Sequence, residues 1–350
     1  MIDHAFWKGK RVFITGHTGF KGTWLSNILS LIGADITGYS LPPPTKPSLF
    51  EITDTEKRIH SIIGDIRDRD QLVSVVQESK PEIVFHLAAQ PLVRQSYKQP
   101  AMTYEINVIG TVNVLEAIRN TSSVRSFVNV TTDKVYENKE WYWGYRENEN
   151  LCGFDPYSNS KSCSELITYS YRNSFFNASD APAISTARSG NVIGGGDYAE
   201  DRIIPDCVRA TLADKEIIVR NPHSIRPYQH VLECLSGYIL LAQKQYMDKT
   251  IAGPYNFGPD DESCINTGEL VSLFCNAWQG AHWRVQNDNG PHEATFLKLD
   301  CSKAKTILGW GPKWNIKTAV DKTVEFYRCN TNTEKAKCIE RQIYQYFNDK

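Results

Sequence analysis

The sequence predicts an α/β protein: a doubly wound parallel sheet with a smaller C-terminal substrate-binding lobe. Three observations carry this. Short apolar runs alternate with amphipathic stretches through the first half of the chain. A Gly-x-x-Gly-x-x-Gly series breaks the first apolar run and opens the first helical stretch. From Ala183 onward the alternation gives way to short mixed elements richer in Arg, His and Pro. Strand–helix alternation favours a parallel sheet, because parallel neighbours need a long crossover that a helix supplies.

Taken in order, Arg11–Thr15 reads as a buried strand and Thr23–Leu31 has helical apolar spacing. Asp35–Leu41, Ile59–Ile63 and Ile83–Leu87 are further short strands, and Gln71–Gln77 is a helix closed by Pro81. Ala101–Ile118 is a long amphipathic helix, and Arg125–Thr131 returns to the sheet. Residues 134–156 form a long loop crowded with Tyr136, Trp141, Tyr142, Trp143 and Tyr145, and long loops are usually functional. Asp155-Pro156 starts the next helix, which carries Tyr157 and Lys161, and Ala183 begins another strand. The division expected is a cofactor domain over 1–182, taking later strands from 183–260, and a mostly substrate-binding lobe over 183–350, interleaved with it.

At 350 residues, 41% hydrophobic and 23% charged, the chain can bury a large core. Its formal net charge of -1 argues against general attraction to nucleic acid or membrane, so any anion site must be local. Nine cysteines without a C-x-x-C pair or a metal-like cluster read as buried thiols in a reducing compartment. No apolar run reaches bilayer length and the start lacks a signal-like apolar segment, so a cytoplasmic protein without a metal is expected.

Gly16-x-x-Gly19-x-x-Gly22 follows a strand and precedes a helix. The first glycine permits the tight turn, the second lets the backbone approach a pyrophosphate, and the third allows close helix packing. The carboxylate that commonly holds the adenosine ribose is missing: the second strand ends Gly38-Tyr39-Ser40-Leu41. Ser40 can bond a hydroxyl without repelling a 2′-phosphate, which leaves NAD and NADP both open. Asp65, in Gly64-Asp65-Ile66, offers a carboxylate to an adenine amine, and Ala88-Ala89-Gln90 leaves room beside the cofactor. Tyr157 and Lys161 are four apart on a helix and share a face. A nearby ammonium lowers a phenol's pKa, so Tyr157 is a candidate base for a sugar hydroxyl. Arg209, Arg226 and His292, with Arg94 and Arg202 behind them, are candidates for neutralising a diphosphate, since guanidinium forks fit phosphate oxygens.

Together these features resemble the extended short-chain dehydrogenase/reductase superfamily, whose sheet is of the Rossmann type. Within it they resemble the nucleotide-sugar 4,6-dehydratases. AAQPLVRQSY, TTDKVYENKEWYWGYRE with DPYSNSKSCSEL, and RPYQHVLECLSGYILLA are similar to the CDP-glucose-acting branch. The resemblance implies catalytic roles for Thr132, Asp133, Lys134, Tyr157 and Lys161. It implies NAD contacts at Gly16, Thr18, Gly19, Phe20, Gly22, Ser40, Asp65, Ile66, Ala88, Ala89, Gln90, Asn107, Thr131, Tyr157 and Lys161, and phosphate contact at Asn191. It also implies a homodimer through helices near 101–119 and 157–176, and deoxysugar production for surface polysaccharide such as O-antigen. Lys134 departs from the dTDP-glucose dehydratases, which carry glutamate there as the C5 base, so the C5 base stays open between Lys134 and another group. A nucleotide-sugar 4-epimerase shares the glycine motif and Tyr157/Lys161 but needs no acid at Asp133. A non-catalytic dinucleotide-binding sensor is the alternative from another class.

Overall fold

The structure, a computed structural model, describes residues 2–286 and 296–348. Seven parallel strands form one sheet. In chain order they are β1 (Arg11–Thr15), β2 (Asp35–Ser40), β3 (His60–Ile63), β4 (Ile83–His86), β5 (Ser126–Val130), β6 (Ala183–Ser189) and a last strand, Pro254–Phe257. Across the sheet they run Pro254–Phe257, β6, β5, β4, β1, β2, β3. The chain therefore proceeds outward in both directions from the β1/β4 boundary. Helices depart to opposite sides there, which opens a crevice above the strands' carboxyl ends. Register places Thr15 beside His86 and Val130 beside Ala187, so the loops that follow β1, β4, β5 and β6 converge on that crevice.

The inner strands β4, β5 and β6 are buried on both faces, whereas the edge strand β3 is exposed or half-buried, and buried strands read as continuous apolar runs rather than alternating ones. In β1, Val12 and Ile14 point into the larger core, with Trp7, Trp24 and the helix Val231–Met247, while Phe13 points into a second core with Leu72, Val76, Val114 and Phe127. The sheet draws on both parts of the chain. β6 and Pro254–Phe257 lie in it, whereas Ile225–Pro227 pairs with Cys264–Asn266 outside it.

Two expectations change. The helix expected over 101–118 is not uniform: Pro100–Tyr104 and Gly110–Arg119 flank a π-helical turn, Glu105–Ile109. That turn buries Asn107, and such turns recur at functional sites. The aromatic loop is largely a packing device. Tyr136 and Tyr145 stack with ring centroids 5.2 Å apart, and Trp141 stacks on Tyr145 at 5.3 Å. Tyr142 and Trp143 are exposed, and none of the five rings lines the crevice.

Candidate active site

The glycine loop is built as the spacing requires. Gly16 has φ +79°, and a Cβ there would meet the Ala88 nitrogen at 2.7 Å; at Gly22 it would meet the Gly16 carbonyl oxygen at 2.0 Å. Gly19 meets only an ordinary contact, so its outer face is clear. It caps helix Phe20–Leu31 with no side chain on the first-turn N–H groups. Those N–H groups and the helix dipole suit an anion. A dinucleotide's pyrophosphate fits this cradle.

A cleft of about 1440 Å³ runs from this loop across the crevice. Of the residues expected from the sequence, Gly16, Thr18, Gly19, Phe20, Gly22, Ser40, Asp65, Ile66, Ala88, Ala89, Arg94, Thr131, Thr132, Asp133, Lys134, Tyr157, Lys161, Asn191, Arg202 and Arg226 line it. Ser40 is held by Thr18, whose Oγ1 lies 2.9 Å from Ser40 Oγ. Asp65 accepts from Arg67 Nη2 at 2.6 Å, and that hydrogen bond holds its carboxyl below the usual range.

Gln90 and Asn107 do not line the cleft. Asn107 Oδ1 accepts from the Gln90 backbone N–H at 2.8 Å, and its Nδ2 donates to the Gln90 carbonyl at 3.1 Å and to Ser160 Oγ at 2.9 Å. Their polar groups are used up in clasping the loop after β4 to the helix that bears Lys161. Arg209 also turns away. It donates to the carbonyls of Tyr198 and Ala199, both at 3.1 Å, and pairs with Asp206, so it braces a loop rather than the cleft. His292 lies outside the described residues.

The polar centre sits at the end of β5. Thr132 Oγ1 donates to Asp133 Oδ1 at 2.9 Å, and Asp133 Oδ2 is buried with no partner among the described residues. Burial raises the Asp133 carboxyl above its ordinary range, against the opposing pull of Lys134, Thr132, Arg226 and Lys21. Helix Pro156–Phe175, N-capped by Asp155, presents Tyr157 and Lys161 to the same space. Burial pushes the Tyr157 phenol up to about 12, with Thr132 hydrogen bonding working the other way. That corrects the expectation from spacing, in which the neighbouring ammonium dominates. Burial lowers Lys161 to about 8, assisted by Lys21 and opposed by Glu165; its Nζ donates to the Val130 carbonyl at 3.2 Å. Beneath them, Glu165 and Arg188 form a buried ion pair at 2.9 Å, with Thr131 and Thr186 also donating to the carboxylate.

Sequence reasoning missed three cations in the cleft, Lys21, Lys46 and Arg220. The signal for Lys21 was a charge between the last two glycines of the motif, at the start of a buried helix.

The sequence profile of a family described as GDP-mannose 4,6 dehydratase matches residues 13–323. The chain belongs to that family. Among curated dehydratases, the CDP-glucose 4,6-dehydratase of Salmonella typhimurium is 50% identical over 353 residues, covering 99% of this chain and 98% of that protein. A dTDP-glucose 4,6-dehydratase of Streptomyces antibioticus is 27% identical, covering 91% of this chain and 92% of its own. In structure, the chain shares its fold with the dTDP-glucose 4,6-dehydratase DesIV of Streptomyces venezuelae, solved with NAD and TYD bound. The TM-score is 0.79 at 22% identity, with 91% of this chain and 97% of that one covered. It also shares the fold of the Thermus thermophilus UDP-glucose 4-epimerase in complex with NAD, at TM-score 0.80 and 22% identity, covering 92% and 100% of the two chains.

Proposed function

We propose that this dehydratase converts CDP-glucose to CDP-4-keto-6-deoxyglucose and water, with NAD as its cofactor. The observation that carries the reading is Asp133, a buried carboxyl whose pKa burial raises, just after β5 in the cleft that also holds Tyr157. An epimerase has no hydroxyl to expel and no use for such an acid. The full-length identity to a CDP-glucose 4,6-dehydratase supports the choice of nucleotide.

The glycine loop and the first-turn N–H groups of Phe20–Leu31 would hold NAD, which would supply a hydride acceptor and donor to the sugar. Tyr157 takes the C4 hydroxyl proton, with the Thr132 hydrogen bond and the Arg202 charge opposing the burial that raises the phenol. Thr132 bonds the same oxygen. The C4 ketone acidifies C5–H. Lys134, next to Asp133 on the cleft wall, acts at the C5 step, and Asp133 gives its proton to the departing C6 hydroxyl, which leaves as water. Hydride then enters at C6 and a proton at C5, so the net change is loss of one water. Asn191, Arg94, Arg202 and Arg226 line the lobe over 183–350 and its facing wall, where the diphosphate is placed.

The same reading includes a homodimer. Ile109, Leu166, Tyr169 and Phe175 leave apolar side chains more than half exposed on Glu105–Ile109 and Pro156–Phe175. A second copy would cover them. Nine free thiols suit a cytoplasmic location, and no described helix is long and apolar enough to cross a membrane. Product NMR after incubation with CDP-, dTDP-, UDP- and GDP-glucose plus NAD tests the function. The reading requires a new C6 methyl and C4 ketone with CDP-glucose; C4 inversion with the C6 hydroxyl intact would make the enzyme an epimerase.

A further inference from the structure

Lys21 belongs to the glycine motif in sequence but not in its contacts. It follows Phe20 in the first helical turn, where an apolar side chain would pack, and it lines the cleft. Its Nζ donates to Ser189 Oγ at 2.9 Å. Ser189 ends β6, three places across the sheet from β1, in the half that carries Thr132, Asp133 and Tyr157. The side chain thus runs away from the phosphate cradle at Gly16–Gly19 and toward the polar centre. Ser189 is fixed in turn by Tyr238, their hydroxyl oxygens 2.6 Å apart, and the ammonium lies 6.0 Å from the Tyr238 ring centroid.

Lys21 and Asp133 converge on the Ser189–Gly190 step: Lys21 bonds Ser189, and a Cβ on Gly190 would come within 3.0 Å of Asp133 Oδ2. Cys234, Asp133 and Asp197 favour its charge; Arg202 opposes it, and Lys161 is close enough to feel it. Asp133 in turn faces Lys134, Thr132, Arg226, Lys21 and Tyr157. Burial lowers the Lys21 pKa, so the molecule bears a cost for placing this cation here.

We propose that Lys21 is a positioning residue of the elimination step: held on Ser189, it stabilises the carboxylate that forms on Asp133 as that group protonates the leaving hydroxyl. The inference rests on the dehydratase reading. When Asp133 gives up its proton, a negative charge appears in a site where water cannot solvate it. An ammonium fixed in the same cleft stabilises that charge, most strongly in the transition state. The oxidation at C4 forms no charge on Asp133 and should be spared.

The test compares wild type, Lys21→Met and Lys21→Arg, with CDP-glucose as substrate. For Lys21→Met, kcat should fall roughly tenfold to a hundredfold, the scale of one charged interaction, while NAD affinity by calorimetry and KM move less than about threefold. Bound NADH should accumulate on mixing, because oxidation outpaces elimination. A cation lowers a carboxyl's pKa, so its removal should shift the limb of kcat that reports Asp133 to higher pH. Lys21→Arg should restore most of the rate and the original limb. If NAD affinity falls as far as kcat and no NADH accumulates, Lys21 serves the cofactor's phosphates and the proposal is overturned. An unchanged rate and pH profile overturns it too. Should Lys21→Met not fold, Lys21→Gln and the pH profile of Lys21→Arg decide the question. Failure of wild type to convert CDP-glucose would strike the dehydratase reading itself, whatever the variants do.

Discussion

Thr132 and Asp133 are adjacent in sequence and joined through their side chains: Thr132 Oγ1 donates to Asp133 Oδ1 at 2.9 Å, leaving Oδ2 buried with no partner among the described residues. One oxygen is fixed and the other is available. The arrangement orients a carboxyl for a single proton transfer. Replacement of Asp133 by Asn keeps the shape but leaves an amide, a poor proton donor. On mixing Asp133→Asn with CDP-glucose, the absorbance of enzyme-bound NADH should build up and water loss should stop. A normal steady state without that build-up would remove Asp133 from the elimination.

Tyr157→Phe removes one oxygen from a half-buried side chain that lines the cleft. Fold and NAD affinity should persist, while turnover drops by about 10²–10⁴-fold, the usual worth of a positioned acid–base group. No bound NADH should form, since the block precedes oxidation. That absence separates this variant from Asp133→Asn in the same stopped-flow experiment.

The Glu165–Arg188 pair predicts a stability effect whose pH dependence changes sign. Burial pushes the Glu165 carboxyl up, but Arg188, Thr131 and Thr186 outweigh it, and its pKa ends below the ordinary 4.5. In wild type this group therefore stabilises the fold above about pH 4.5, and that contribution is lost as pH falls through the depressed value. Arg188→Met strands a buried carboxylate and should cost about 3–5 kcal/mol at neutral pH. Burial then dominates and the folded pKa rises above 4.5, so the variant should become more stable as pH is lowered from neutrality toward 5. Denaturant melts at several pH values check this; equal losses at every pH would mean that Glu165 is not the stranded group.

Arg226 and Arg209 make a matched pair. Arg226 is buried and lines the cleft, whereas Arg209 is spent on two carbonyls and Asp206. Arg226→Ala should weaken CDP binding roughly tenfold to over a hundredfold, the loss of one charged hydrogen bond. Arg209→Ala should leave CDP affinity unchanged. Calorimetry with both variants distinguishes a phosphate ligand from a loop brace, and equal CDP affinity in wild type and Arg226→Ala would exclude Arg226 from the diphosphate site.

Much of this was legible in the chain because it is local. Buried strands declare themselves as apolar runs, and the observed β1 to β5 end within a residue of where those runs end, whereas β6 stops at Ser189, short of its run into Gly196. Tyr157 and Lys161 stand out by their spacing on one helix, whereas Thr132 and Asp133 stand out through the family resemblance. What spacing cannot carry is which way a polar group faces and what already satisfies it. Asn107 looks available in the sequence but is consumed by the Gln90 backbone and Ser160, and the Gln90 side chain by Leu92 and Thr103. Arg209 is drawn off by the Tyr198 and Ala199 carbonyls. Lys21 reads as part of a phosphate loop, yet its side chain ends on β6. The Tyr157 phenol is governed by burial, a property of the assembled cleft and not of a Tyr-x-x-x-Lys interval.

The central claim is that hydride leaves C4 and returns to C6 of the same sugar. Incubation of the enzyme and NAD with CDP-glucose deuterated at C4 tests it directly. The account predicts CDP-4-keto-6-deoxyglucose carrying that deuterium in its C6 methyl group, seen by NMR and mass spectrometry. A methyl group without the label, or deuterium retained at a C4 carbinol with the C6 hydroxyl in place, would contradict it.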